Sequence, residues 1–397
     1  MVKVRRIIGF LLCLVFLLFS GCEEEILSNA SPEYIKETDF NDTMKYRDGS
    51  SHMVETEDGY YYHHMMDSTL RFIDKKTMKE IVLCGKPECT HKDEDQFSCQ
   101  AYLDNMGMDG LFFYQNKLYA CIAESKVSGI TVDRRLYLTE ISKDGSSRKK
   151  VLEITWDEDR YPGGLQMGFL HRGKFYFTLC LLDNGSNYFS IHSIDLKTKK
   201  ATCIYEIRQK DIFASTVTAI GDSLYWWEEE TYMQVKYYRY ELSTKTLTEL
   251  DGNLQGIYAG KDKVFFQQWH EDTQIPTWSY MNRDGTGFQH TEVELQGTPT
   301  TDHHYIYQFP IDGSDDNDID VLDVETMEIV EKIDISSVKN AESVKALNEN
   351  RCVCNILYPT SGEKIFLAAP FFEVIFYGEK SAIGTPDFQW YEVEKAN

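Results

Sequence analysis

"GDSLYWWEEETYMQVKYYRYELSTKTLTEL", Gly221 to Leu250, holds in thirty residues the unit from which the chain is built. Two aromatic runs follow a Gly-Asp turn, and Glu241 with Thr244 marks a tight turn into a third run. Aromatic and β-branched runs bounded by turn residues read as strands. The same acid, with Thr three residues later, recurs at Asp74/Thr77, Asp195/Thr198 and Asp323/Thr326. Asp144-Gly145 and Asp284-Gly285 stand at the equivalent place in two further units. Both choices make hairpins, through side-chain bonds to backbone amides or through glycine at positive φ.

An aromatic strand precedes each turn: "DGYYYHH" from Asp58, "NKLYACIA" from Asn116, "RGKFYFTLCLL" from Arg172, "KDKVFFQQW" from Lys261 and "HHYIYQF" from His303. "GEKIFLAAPFF" from Gly362 leads a seventh copy. The turn anchors Asp74, Glu140, Asp195, Glu241, Asn282, Asp323 and Glu392 lie 66, 55, 46, 41, 41 and 69 residues apart. A period near 40 with variable insertions and four short strands per unit predicts an all-β fold, a β-propeller of four-stranded antiparallel blades. Seven blades is the count, with six or eight left open. The last copy reads as ending after its third strand, so an N-terminal strand is expected to close the final blade. A short surface helix is expected over Ser337 to Asn350, where Val338, Ala341, Val344 and Leu347 keep helical spacing.

The N-terminus carries Lys3, Arg5 and Arg6, then an apolar run from Ile7 to Phe19 too short to span a bilayer. "FSGC", Phe19 to Cys22, ends it and resembles a bacterial lipobox, in which a cysteine is acylated and becomes the mature N-terminus. The division expected is a signal peptide over 1–21, a flexible tether over 22–45 and the propeller over 46–397. Removing residues 1–21 takes three cations and no acids, moving the net charge from -23 to -26. Such a chain repels phosphate backbones, which excludes nucleic acid as a partner.

"LCGKPECTHKDEDQFSC", Leu83 to Cys99, supplies Cys84, Cys89, His91 and Cys99 in the spacing C-x4-C-x-H-x7-C. Three thiolates and an imidazole make a tetrahedral donor set for one structural zinc. A disulfide is the rival, since the chain is read as exported. Against it, Cys121, Cys180 and Cys203 sit singly in apolar strands and Cys352 and Cys354 alternate onto one face, a scatter untypical of disulfide frameworks. Cys89 and His91 lack an orienting third group, and no GxSxG, HExxH, Walker or dinucleotide fingerprint occurs, so no catalytic or cofactor-binding residue is assigned. "DGSDDNDID", Asp312 to Asp320, lacks the glycine and distal glutamate of a calcium loop.

The "CGKPECTH…C" segment after the first hairpin, behind the lipobox, resembles a group of lipoproteins of Gram-positive gut-type anaerobes. "WSYMNRDGTG" (Trp278 to Gly287) and "LTEISKDGSS" (Leu138 to Ser147) resemble the strand-and-turn unit of TolB-like propellers. The resemblance implies a propeller held by a lipid on Cys22 to the outer face of the cell membrane, and implies no reaction. The function expected is a non-catalytic binding or scaffolding module for an extracellular protein, peptide or glycan. The alternative is a polysaccharide hydrolase or lyase with an axial site. Cys22→Ser in the full chain is expected to shift the protein from membrane to soluble fractions and to abolish labelling by a palmitate analogue; unchanged membrane retention would refute lipidation.

Overall fold

The computed structural model describes residues 31–40, 53–64, 66–91, 98–103, 110–128, 131–155, 165–183, 186–209, 213–214, 217–231, 234–270, 272–273, 275–295, 297–310, 317–347, 356–369 and 373–396. Seven antiparallel sheets follow one another along the chain as the blades of a propeller. They span 53–82, 111–154, 165–209, 213–250, 254–294, 298–334 and 356–392. Each blade runs inner, second, third and outer strand. In blade four the inner position is filled by two short pieces, Phe213–Ala214 and Thr218–Ile220, both paired with Ser223–Thr231.

The turn chemistry read from the sequence forms as expected between third and outer strands. Asp74 Oδ1 accepts from the Lys76 and Thr77 amides at 3.0 and 2.8 Å and from the Thr77 hydroxyl at 2.9 Å. Asp195 does the same with Lys197 and Thr198, and Asp323 takes the amides of Glu325 and Thr326. These donors hold the three carboxyls below their usual pKa. The residue after each Thr sits at positive φ: Met78, Lys199, Lys245 and Met327. In the two Asp-Gly turns the glycine takes that conformation instead, at φ 72° for Gly145 and 86° for Gly285.

Aromatic strands bury their faces between blades. Phe265 and Trp278 of blade five pack with Ile306 and Leu322 of blade six, all fully buried. At the seam between blades seven and one, Tyr60, Tyr62 and Ile73 meet Tyr358, Phe366 and Ile375. Tyr60 and Phe366 meet edge to face with centroids 4.6 Å apart, a geometry worth about 1 kcal/mol beyond the area it buries. On the same seam Glu55 accepts from Ser361 Oγ at 2.9 Å and from the Gly362 amide at 3.2 Å, and pairs with Lys75.

Two expectations are corrected. The last blade is not closed by an N-terminal strand: Ile375–Glu379 is its third strand and Tyr391–Glu392 its outer one. The long connection 380–390 lacks an acid-and-Thr turn, so the sequence reading placed the third strand one element too late. The segment before Gly59 is instead the inner strand of blade one, Met53–Glu55. Past the last blade, Glu394–Lys395 pairs in parallel with Lys79–Val82, the outer strand of blade one. The expected helix is two single turns, Ser336–Lys339 and Glu342–Lys345, with Val338 and Val344 buried. Cys203, which its apolar strand led one to place in the core, is exposed, whereas Cys121 is buried.

Residues 31–40 lie inside the stretch read as a flexible tether, yet they form a strap across the hairpin face. The Phe40 ring packs on Phe169 at 4.9 Å and its amide donates to His171 Nδ1 at 3.0 Å. Arg172 of blade three holds the buried Asp39 through two bonds of 2.8 and 3.0 Å. The Gln115 amide of blade two donates to the Glu37 carbonyl, and Tyr34 contacts His303 of blade six at 4.8 Å. Gly221 of blade four, at φ 56°, passes so close to the Pro32 carbonyl that a Cβ would collide with it. An aromatic ring and a paired, buried carboxylate fix what composition alone reads as linker. Residues 22–30, with Cys22, fall outside the described ones.

Phe366→Ala is expected to lower unfolding free energy by about 3–5 kcal/mol, since it opens a cavity in the closing seam. Urea unfolding checks this, and a loss below 1 kcal/mol would mean the seam relaxes around the gap.

Candidate metal centre

Cys84, Cys89, His91 and Cys99 stand on the connection from blade one to blade two, and the structure brings all four together. Their ligand atoms lie within 4.8 Å of one another. Zinc–thiolate bonds of about 2.3 Å give a tetrahedron with edges of about 3.8 Å, so a small inward movement completes the site. Cys99 Sγ and His91 Nδ1 are 3.5 Å apart. His91 is at φ 56°, a conformation histidine tolerates better than most side chains, and it turns the ring back toward Cys99. The three thiols form no disulfide: Cys84, Cys89 and Cys99 are all free. The cluster can bind a metal ion.

The loop that carries them is fastened before any metal binds. The Cys89 amide donates to the Lys86 carbonyl at 3.2 Å, and Lys86 Nζ reaches the Ser98 carbonyl at 2.5 Å. The Gly85 amide donates to Gln100 Oε1 at 3.1 Å, and Gln100 Nε2 donates to the Ser146 carbonyl of the blade-two hairpin at 3.2 Å. Arg148 of the same blade bonds the Gln100 carbonyl and, at 2.9 Å, that of Tyr102. Gly145 packs against the Leu83 carbonyl where a Cβ would collide. The neighbours are outer-strand and hairpin residues, so the cluster lies at the rim between blades one and two and not at the axial mouth.

Burial raises the Cys84 thiol, but amide bonds from Lys86 and Gln100 and the thiols of Cys89 and Cys99 outweigh it, leaving a net lowering. Burial pushes Cys99 up to about 11 despite the Ala101 amide. The Arg148 charge couples to both sulfurs. With zinc and three thiolates the centre carries one net negative charge, and a guanidinium beside it offsets that charge.

Sequence reading missed a second constellation. In blade one, His64 Nδ1 lies 2.8 Å from Asp67 Oδ1, and Arg71 donates to Asp67 and Glu80 at 2.5 Å each. The Tyr62 hydroxyl donates to Glu80 at 2.5 Å, and Arg71 Nε to Thr69 Oγ1 at 3.2 Å. Arg71 and Glu80 are buried. The available signal is Arg71 inside "TLRFID": it shares the inward face with Ile73, and a cation there requires buried acids. Burial first raises Asp67, yet bonds from His64 and Thr69 and the charges of His64 and Arg71 hold it well below the usual carboxylate range. A depressed carboxylate stabilises the fold above its unfolded value of about 4 and loses that contribution as pH falls toward its folded value. Asp67→Asn is therefore expected to flatten the loss of thermal stability below about pH 4. A melting-temperature series over pH 2 to 7 that is parallel in both proteins would refute the assignment.

No family model and no curated protein matches the sequence. Solved structures match the fold. A prolyl endopeptidase shares 11% identity with a TM-score of 0.52 over 94% of this chain, which spans 52% of that one. An oligogalacturonate lyase in complex with manganese shares 9% identity (TM-score 0.49, covering 90% and 89% of the two chains). An oligogalacturonate lyase from Vibrio parahaemolyticus shares 8% (TM-score 0.48, 91% and 93%). At 11% identity the likeness to the prolyl endopeptidase concerns the fold alone and carries no activity.

Proposed function

We propose that the chain is an exported, membrane-tethered propeller that serves as a binding or scaffolding module, with one structural zinc fastening blade one to blade two. The observation that carries this is the four ligand atoms within 4.8 Å. Cys84, Cys89, His91 and Cys99 fill all four positions of a tetrahedral ion and leave none for water or substrate, which is the pattern of structural and not catalytic zinc. When bound, zinc holds the three thiolates and the imidazole in one knot. The protein residues carry that knot into the ring: Gln100 and Arg148 tie the loop to the second blade.

The strap over the hairpin face supports a one-sided reading. It leaves the face of the longer connections for an extracellular protein, peptide or glycan. The lipobox-like "FSGC" supports attachment through Cys22 to the outer face of the membrane. A rigid ring with varied loops is a general means of recognition.

The test uses residues 23–397 purified without oxygen, with metal content by mass spectrometry and a thiol count under denaturing conditions. About one zinc per chain, lost in Cys89→Ser, is expected. No metal with all thiols free would overturn the metal reading, and no metal with two thiols missing would replace it by a disulfide. Cleavage products from soluble polysaccharides would overturn the non-catalytic reading.

A further inference from the structure

A cavity of about 760 Å³ lies where blades one and seven meet, beneath the C-terminal strand. Its floor is the network of blade one: His64, Arg71 and Glu80. Its walls carry Glu373 and Glu392 from blade seven and Glu394 and Lys395 from the strand beyond it. The volume suits an organic ligand or the side chains of a bound peptide.

The charge left facing this space is predominantly negative. Arg71 gives three of its five N–H donors to Asp67, Glu80 and Thr69, and the two carboxylates offset its charge. Glu80 is taken by Tyr62 and Arg71. His64, with its side chain 7% exposed, donates Nδ1–H to the ionised Asp67, so in the neutral ring Nε2 is an acceptor. Among the described residues Nε2 has no partner, and the ring lines the cavity. Among the described residues Glu392 takes only the Ser343 hydroxyl, at 2.7 Å, and Glu394 faces Lys79 at 3.5 Å across an exposed surface. Three wall carboxylates stand against the single ammonium of Lys395. The space therefore offers acceptors and negative charge to whatever enters it. Among the described residues only the Cys/His cluster is gathered tightly enough to chelate an ion, so an extended cation suits this cavity better than a metal.

We propose that the cleft between blades seven and one binds a basic peptide, with a lysine or arginine side chain donating to His64 Nε2 and to the carboxylates of Glu373 and Glu392. A guanidinium or ammonium supplies only donors and complements these three acceptors. The cleft is separate from the zinc-ligand loop, so this inference stands or falls independently of the metal.

Calorimetric titration of residues 23–397 with a tri-arginine peptide, in about 0.15 M salt to screen diffuse attraction, tests it. Saturable binding of one peptide per chain is expected, with a tri-glutamate peptide giving none. The pair Glu373→Gln, half-buried, with Glu392→Gln, exposed, should weaken binding at least tenfold while the melting temperature and zinc content stay unchanged. His64→Gln, which keeps a polar group but presents it differently, should weaken it as well. Absence of saturable binding would overturn the proposal. So would binding that survives the double substitution, because it would then belong to another part of the acidic surface.

Discussion

A ring of blades is stable only if its last member packs on its first, and here that contact combines side-chain packing with one short strand passed from the end of blade seven to the edge of blade one. Blade seven is built from its own four strands and blade one from its own, so apart from that added strand the seam is side-chain packing. Tyr60, Tyr62 and Ile73 against Tyr358, Phe366 and Ile375 provide the apolar part. Each such fully buried side chain contributes about 1.5–3 kcal/mol of transfer free energy. Glu55 adds direction, because its carboxylate reaches the turn of blade seven and Lys75 of its own blade at once. The strand Glu394–Lys395 then covers the outer edge of blade one. As at the other seams, chain continuity helps here too, because the run from Tyr391–Glu392 into Glu394–Lys395 passes directly from blade seven onto blade one.

Most of the architecture was legible because the propeller repeats a local device. An acid at the end of the third strand captures two amides, and that capture needs only the residues that the sequence displays. Blade number followed from spacing alone. What failed was phase in the last unit, where the turn is long and irregular and carries no capturing acid. With Ile375–Glu379 skipped, an N-terminal strand was expected to fill a vacancy that does not exist. The strap was illegible for another reason. Asp39 and Phe40 acquire meaning only through His171, Arg172 and Phe169, about 130 residues away in sequence, and no periodicity announces such a partner.

The two sites divide in the same way. Cys84 to Cys99 is a local motif, so its residue types and spacing identify the ligands, and the structure adds that they converge and that blade two braces them. The blade-one network is assembled across strands: Tyr62 opposite Arg71 in register, and Glu80 from the next strand. Only Arg71 on an inward face betrays it. An isolated charge at such a position costs several kcal/mol unless paired, and the pairing here leaves one imidazole nitrogen facing the cleft.

The strap also decides how the molecule bears load. A pull on the chain from its N-terminal side enters at Ser31 and must first shear a segment bonded to blades two and three and packed against blades four and six. The force is shared around the ring before it can reach the seam, and the inner strand of blade one lies downstream of that clasp. A pull from that side would thus load the strap's bonds to blades two and three before it loads the seam between blades seven and one.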